Sequence, residues 1–389
     1  MSGPVVLLTG ATGFIGGATL ANLLSNRRDC RVLLLVRAAT PEGGAHRVRQ
    51  SLGRFLDAER LEAGLSACEV ICGDITDPDS LSDNRLEQAT HVVHLAAHKK
   101  LATARLSDVT HVLHLASNTS FRSVRSVRHT NILGTLTLAH RMRFAPRLER
   151  FLHVSTAYIC GEEPSRVVFE DDYPRADVRH IVEYTSSKAE CEMLLRNTAP
   201  DLPIVIARPS VVVGHTRLGC LPSASIFWFY RVIDLLRRTN FPLDSYDDVV
   251  PVDYVADALL HLLFKPDLRH RCYHVSAGEG SAVTWHEIAH EFTRTHGPRP
   301  ETPFQQVDFA AIVDERARLG KLLGPGDEDH LLMAMRIYYR FAATNVEIFD
   351  NQRLLSEGMS PPPKFTTYLH RCATMPAGRS VYAQMRDDE

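Results

Sequence analysis

Val5-Val6-Leu7-Leu8-Thr9-Gly10-Ala11-Thr12-Gly13-Phe14-Ile15-Gly16 is the stretch on which the reading of this chain turns. Its opening apolar run has no alternation, the pattern of a strand buried on both faces. Three glycines come next, and then a helical pattern begins. Gly10 permits a tight turn, Gly13 lets the backbone approach a pyrophosphate, and Gly16 allows close packing of helix on strand. A helix starting there offers free N–H groups and the positive end of its dipole to an anion. A glycine-rich turn by itself can be purely structural. Placed between strand and helix, it predicts a dinucleotide held by Gly10, Thr12, Gly13, Phe14, Ile15 and Gly16.

Moving outward, the same strand-then-helix rhythm continues. Strand-like runs lie at Arg31–Val36, Glu69–Cys72, His111–Leu115, Arg150–Val154 and Ile204–Ala207, with helical patterns such as Ala18–Ser25 and Thr130–Arg143 between them. Such alternation implies right-handed βαβ crossovers and a parallel sheet covered on both faces. The expected fold is therefore α/β: a Rossmann-type, doubly wound parallel sheet over residues 1–208, with part of 245–280 returning to it. Prolines at 209, 222, 242 and 251 then loosen the rhythm, and helical patterns dominate from Trp285. Residues 209–389 are expected to form mainly a smaller, helical, substrate-binding lobe.

Composition sets outer limits. The 389 residues are 44% hydrophobic and 23% charged, with a formal net charge of -2. That suits a globular enzyme and argues against bulk nucleic-acid affinity. No run approaches the roughly 20 apolar residues of a membrane-spanning helix, and no leader-like segment precedes the first strand. The eight cysteines are scattered without paired zinc spacing, so no metal is expected and reduced thiols in a cytoplasmic setting are.

Arg37 ends the second strand-like run, where an acidic residue favours NAD and an arginine accommodates the 2′-phosphate of NADP. Arg37 thus points to NADP, with Arg47 as a second phosphate contact; a solvated surface arginine is the plain alternative. Asp74, after the third run, either faces the ligand crevice or caps the next helix. Tyr184 and Lys188 stand four apart on a helical pattern, so phenol and ammonium share a face. A neighbouring cation favours the phenolate, and a tuned phenol can deliver a proton to a carbonyl oxygen. Such a pair alone is weak, but about thirty residues earlier Phe151-Leu152-His153-Val154-Ser155-Thr156 ends a buried strand in two hydroxyls. Ser155 or Thr156 can donate to a developing oxyanion.

One repeat interrupts the pattern. Arg85–Ala96 reads RLEQATHVVHLA and Arg105–Ala116 reads RLSDVTHVLHLA, identical at eight of twelve positions. Two copies make a local duplication rather than a solenoid. Both read as a helix end entering a buried strand, and a single sheet position is expected for them.

Taken together, these motifs resemble the extended short-chain dehydrogenase/reductases: TGATGFIG at 9–16, GD at 73–74, HLAS at 114–117, Asn131, VSTAY at 154–158, YTSSK at 184–188, RPS at 208–210 and PVDYVADA at 251–258. Within them the chain looks most like the fatty acyl-CoA reductase and thioester reductase (male sterility-type NAD-binding) branch. LLLVRA at 33–38, Arg47 ten residues after Arg37, and a helical insertion near Arg47–Leu65 carry that likeness. The resemblance implies a Ser/Thr–Tyr–Lys group, with the catalytic hydroxyl on Thr156. It also implies cofactor contacts at Ile75, Leu115, Ala116, Ser117, Asn131 and Pro209, beside Tyr184 and Lys188. The activity it implies is NADPH-dependent reduction of an acyl thioester on coenzyme A or on an acyl or peptidyl carrier protein, or of the derived aldehyde. The partner would come in trans, and the enzyme would be a monomer or homodimer. By distance from Asn131, the second copy of the repeat should fill the sheet. Phe227–Leu236, Met333–Phe341 and Phe349-Asp350-Asn351 would line an acyl pocket or form ordinary helix core. Two other readings remain: a dehydrogenase, epimerase or dehydratase of a sugar nucleotide, sterol or polyketide hydroxyl, and an idle NADP-binding sensor or scaffold.

Overall fold

The computed structural model describes residues 3–27, 29–77, 108–120, 123–162, 165–223, 225–297, 303–314, 316–324, 326–344, 348–374 and 378–386. Among these, a seven-stranded sheet organises the molecule. Its strands are β1 (Val5–Thr9), β2 (Arg31–Val36), β3 (Cys68–Cys72), β4 (His111–His114), β5 (Arg150–Val154), β6 (Ile204–Pro209) and β7 (Cys272–Val275). The order is β7-β6-β5-β4-β1-β2-β3, and every neighbouring pair runs parallel. The chain reverses its winding between β1 and β4, the place where open α/β sheets take their ligands.

Helices cover both faces. In chain order the helices are α1 (Phe14–Asn26), α2 (Pro41–Leu52), α3 (Ala58–Ser66), α4 (Val124–Arg128), α5 (Thr135–Met142), α6 (Glu183–Thr198), α7 (Phe227–Leu236), which belongs to the lobe, and α8 (Val252–Phe264). Val6, Leu8, Val32 and Leu34 pack with Leu20 and Leu23 of α1 and Val255 and Leu259 of α8. The alternate residues Val5, Leu7, Leu33 and Leu35 pack with Leu138 and Met142 of α5 and Leu195 of α6. Side chains of both parities meet apolar partners, so these strands carry no polar alternation. The expected insertion after β2 is the pair α2 and α3.

The second copy of the repeat fills the sheet. His111–His114 pairs with Val6–Thr9 on one side and Arg150–His153 on the other. The first copy, 85–96, lies outside the described residues. Strand β7 lies within the 245–280 stretch expected to return to the sheet, but its bounds were not marked: Cys-Tyr-His-Val lacks the β-branched apolar run that marked the others, yet it is buried along its length.

The lobe has its own aromatic core. Phe229 meets Tyr339 edge-on at 5.2 Å and Tyr230 stacks on Trp285 at 5.3 Å. The helix Trp285–His296 starts on a reciprocal cap, with Thr284 Oγ1 accepting from the Glu287 N–H and the Glu287 carboxylate accepting from the Thr284 N–H. Helix α7 is therefore core, and Phe227, Trp228, Phe229 and Tyr230 are all buried in it. No helix among the described residues is long and apolar enough to cross a membrane.

Candidate active site

The glycine turn sits at the winding reversal. Gly10 has φ +79, and a Cβ there would lie 2.7 Å from the Ala116 nitrogen. A Cβ on Gly16 would lie 2.0 Å from the Gly10 carbonyl oxygen. Glycine is thus required at both places by the approach of β1's turn to β4 and to α1. Helix α1 begins at Gly13 with no side chain bonded over its first turn, so its N–H groups face the crevice.

Arg47 on α2 reaches across this turn. Its guanidinium donates to the Arg37 carbonyl and lies 3.4 Å from Thr12 Oγ1. The two sequence-marked arginines and the glycine loop are therefore brought together, with the Arg37 side chain exposed at the rim. Asp74 caps its own turn: its Oδ1 accepts from the Thr76 N–H at 2.9 Å and from the Thr76 hydroxyl at 2.8 Å. Ile75 is buried beneath Gly134. These features fit a phosphate-bearing dinucleotide: a cradle that a Cβ would fill, uncapped amides, and the Arg47 guanidinium beside them.

Opposite, Asn131 stands in a π-helical turn, His129–Gly134, between α4 and α5, the kind of bulge that often marks functional sites. It is fully buried. Its Oδ1 accepts from Ser117 Oγ at 3.0 Å and from the Asn118 N–H at 2.7 Å. Its Nδ2 donates to the Asn118 carbonyl at 3.0 Å and to Ser187 Oγ at 2.9 Å. Asn131 thereby ties the loop after β4 to α6. The sequence marked Asn131 but not Asn118 or Ser187, whose roles come from tertiary contact alone.

Helix α6 carries the Tyr184/Lys188 pair, and Arg128 anchors its start through Glu183 at 3.0 Å and Glu190 at 2.7 Å. Lys188 is 2% exposed. Its Nζ donates to the Val154 carbonyl at 2.7 Å, which sets the ammonium under the end of β5, beside the two hydroxyls. Burial brings Lys188 down to about 8. Burial also pushes the Tyr184 phenol up to about 12, where the sequence reading expected a neighbouring ammonium to lower it. The difference is physical: Lys188 is directed at a backbone carbonyl, and desolvation prevails at the phenol. A phenol so shifted is neutral at physiological pH and holds a proton to give.

Thr156 and Ser155 are both buried at the end of β5. Thr156 Oγ1 accepts from the Tyr158 N–H at 3.3 Å, which leaves its own proton free to donate. Ser155 Oγ has no partner among the described residues. Pro209 closes β6 opposite Val275. The turn after β5 leads to the lobe: the Tyr158 ring lies 5.0 Å from Phe349 and 5.5 Å from Phe341, both edge-on. Beyond it opens a cavity of about 720 Å³ whose lining includes Glu162, Phe309, Val313, Arg336, Tyr339 and Arg340. Of the lobe segments expected at an acyl pocket, the Met333–Phe341 stretch contributes to it, whereas α7 does not.

Comparison with known proteins agrees with this geometry. Residues 8–105 and 98–259 match the family described as Male sterility protein. The two matched segments overlap at 98–105, which follows the first copy of the repeat in the sequence and ends at Arg105. The chain is 30% identical over 290 residues to the nonribosomal peptide synthetase FrzA of a Cladobotryum species, covering 69% of this chain and 26% of that one. It is 28% identical over 278 residues to the aldehyde reductase lnaA of Aspergillus flavus, covering 66% and 24%. Against fatty acyl-CoA reductase 2 of Homo sapiens it is 25% identical over 358 residues, covering 78% and 64%. The chain thus spans about a quarter of the first two relatives and just under two thirds of the third. Among solved structures, the terminal R domain of the myxalamid PKS-NRPS pathway superposes with TM-score 0.75 at 22% identity, covering 97% of this chain and 92% of that one. The R domain of a nonribosomal peptide synthetase from Mycobacterium tuberculosis gives TM-score 0.67 at 22% identity, covering 96% and 91%. A glycine cradle at the winding reversal, a buried lysine beneath the end of β5, and a family match over more than half its length place this chain in the Male sterility protein family, a nicotinamide-dependent branch of the extended short-chain dehydrogenase/reductases.

Proposed function

We propose that this protein is an NADPH-dependent reductase of acyl thioesters carried on coenzyme A or on a carrier protein, releasing an aldehyde and a free thiol. The observation that carries the reading is Lys188, buried and bonded to the Val154 carbonyl at 2.7 Å, directly before the Ser155 and Thr156 hydroxyls. Arg37 and Arg47 beside the glycine turn support NADP over NAD, because guanidinium forks suit a 2′-phosphate.

The bound nicotinamide supplies a hydride to the thioester carbon. Negative charge then gathers on the carbonyl oxygen, where the Thr156 hydroxyl and the Tyr184 phenol donate to it. Tyr184, neutral at working pH, gives its proton to that oxygen. When the carbonyl re-forms, the hydroxyl proton returns to the Tyr184 oxygen, the carbon–sulfur bond breaks, and the sulfur leaves as thiolate that takes up a proton from solvent. Thioester, NADPH and one proton become aldehyde, thiol and NADP. Lys188, held to the Val154 carbonyl, would hold the ribose side of the cleft. The cavity beyond Tyr158 takes the carrier's arm: its apolar lining suits methylene and dimethyl groups, and Arg336 suits a phosphate.

The test is NADPH oxidation against acyl-CoA thioesters, aldehydes and ketones, with thiol release followed in parallel and Tyr184→Phe as control. One thiol per NADPH consumed in the first turnover is expected, with a loss of at least about a hundredfold in the variant. Turnover of aldehydes with no thiol released from any thioester overturns the thioester assignment.

A further inference from the structure

The end of β4 holds a histidine that the proposed chemistry does not use. His114 is fully buried, and burial brings it down to about 3, so the ring is neutral at working pH. Its Nδ1 lies 2.7 Å from Thr9 Oγ1 and its Nε2 lies 2.9 Å from Thr135 Oγ1. Thr9 and Thr135 are also fully buried. The Thr9 oxygen accepts in addition from the Ala116 N–H at 3.2 Å.

These bonds select a tautomer. If Nδ1 carried the proton, the Thr9 oxygen would accept twice and its own proton would have no acceptor among the described residues. A buried unpaired donor is disfavoured. With the proton on Nε2, Thr9 donates to Nδ1, accepts from Ala116, and Nε2–H donates to Thr135. Thr135, accepting from Nε2–H, has the Cys191 sulfur as the hydrogen-bond partner for its own hydroxyl, so each hydroxyl proton has an acceptor.

The three residues so joined are not neighbours in sequence. Thr9 immediately precedes the Gly10 turn, Ala116 comes after β4 across the crevice, and Thr135 opens α5 directly after the Asn131 turn. Gly10 and Ala116 already stand at the limit of approach. We propose that His114 is a positioning residue for the cofactor cleft: as the neutral Nε2–H tautomer it pins the two strand ends and the first turn of α5 at the spacing a dinucleotide requires. This rests on the placement of the cofactor at the winding reversal and is independent of the thioester assignment.

The experiment measures binding of NADPH and NADH to the full chain by fluorescence, with no acyl substrate present, for His114→Leu, His114→Gln and Thr9→Val. His114→Leu and Thr9→Val are expected to weaken binding of the better cofactor at least about tenfold, the size of one misplaced buried hydrogen bond. In turnover assays they should raise the KM for cofactor while the KM for substrate stays within about twofold. His114→Gln, which keeps a donor and an acceptor, should recover most of the affinity. Nitrogen-15 spectra of the unmodified protein should show a neutral imidazole protonated at Nε2 from about pH 5 to 8, a readout that does not depend on any variant folding. Cofactor affinity within twofold of the parent in folded His114→Leu or Thr9→Val overturns the proposal, as does a proton found on Nδ1.

Discussion

Lys188 keeps its charge in a place that disfavours it. Its value falls from 10.5 to about 8 on burial. Below pH 8 the ammonium is present in both folded and unfolded chains, and the whole cost of burying it is felt. Between 8 and 10.5 the folded chain has released a proton that the unfolded chain still holds, so the cost fades as pH rises. At about 1.4 kcal/mol per pKa unit the cost is roughly 3 kcal/mol, against about 1 kcal/mol for leaving the Val154 carbonyl unpaired. Lys188→Met is therefore expected to be inactive yet to unfold at pH 7 no earlier than the parent, and up to a few degrees later, in a thermal melt. Parent activity should decline as pH rises past about 8. A variant that melts well below the parent contradicts this account. Cofactor choice is decided at the same scale. Arg37→Asp should weaken NADPH binding about tenfold or more while leaving NADH within about threefold; equal losses remove the case for NADP. Tyr184, Lys188 and the glycines could be marked from the sequence because a four-residue spacing on one helix and a glycine turn are local patterns. His114, Ser187 and Asn118 were not, because their partners lie on other elements, and no local periodicity records a bond between β1 and β4.

Elements were readable where burial is two-sided. Val5–Thr9, Arg31–Val36 and Arg150–Val154 stand in the sheet with the bounds their sequences suggest, since a run of β-branched and leucine residues has no comfortable place on a surface. Cys272–Val275 was expected only as part of the returning 245–280 stretch, without bounds of its own, because distant residues bury it, as Phe349 does against the His274 ring at 5.6 Å, and its own composition gives no sign of them. The repeat tests how strictly the sheet counts its strands. With β1 on one side of β4 and β5 on the other, the slot admits one strand. Deleting residues 85–104 joins Asn84 to Arg105 and leaves a single RLSDVTHVLHLA. The shortened protein is expected to keep cofactor affinity and turnover within about twofold and to elute more uniformly in size-exclusion chromatography, because a second apolar run with a strand-like sequence is removed. Loss of the folded protein on deletion would show that the first copy has a structural duty of its own.

At the scale of the whole molecule, the cavity lies in the lobe, between the helix Glu328–Ala342 and Glu162. Arg340 is already committed to Glu162, donating at 2.6 and 2.8 Å, whereas Arg336 lies over the Phe309 ring at 5.8 Å and lines the cavity beside it. Arg336→Glu is expected to raise the KM for an acyl-CoA about tenfold and to leave the KM for a short thioester without a phosphate unchanged. Equal effects on both substrates would place the pantetheine arm elsewhere. Asp248 joins the two halves of the fold in another way. Its buried carboxylate accepts from the Ala277 N–H at 2.6 Å, the Gly278 N–H at 3.2 Å and the Phe349 N–H at 3.0 Å. The last of these donors arrives from some seventy residues further along the chain. A gene fragment stopping anywhere ahead of Ile348 would leave that acid short of a ligand and strip the cover from β7, so dissecting this enzyme into a free-standing nucleotide-binding module and a detachable cap should give insoluble product at any cut made there.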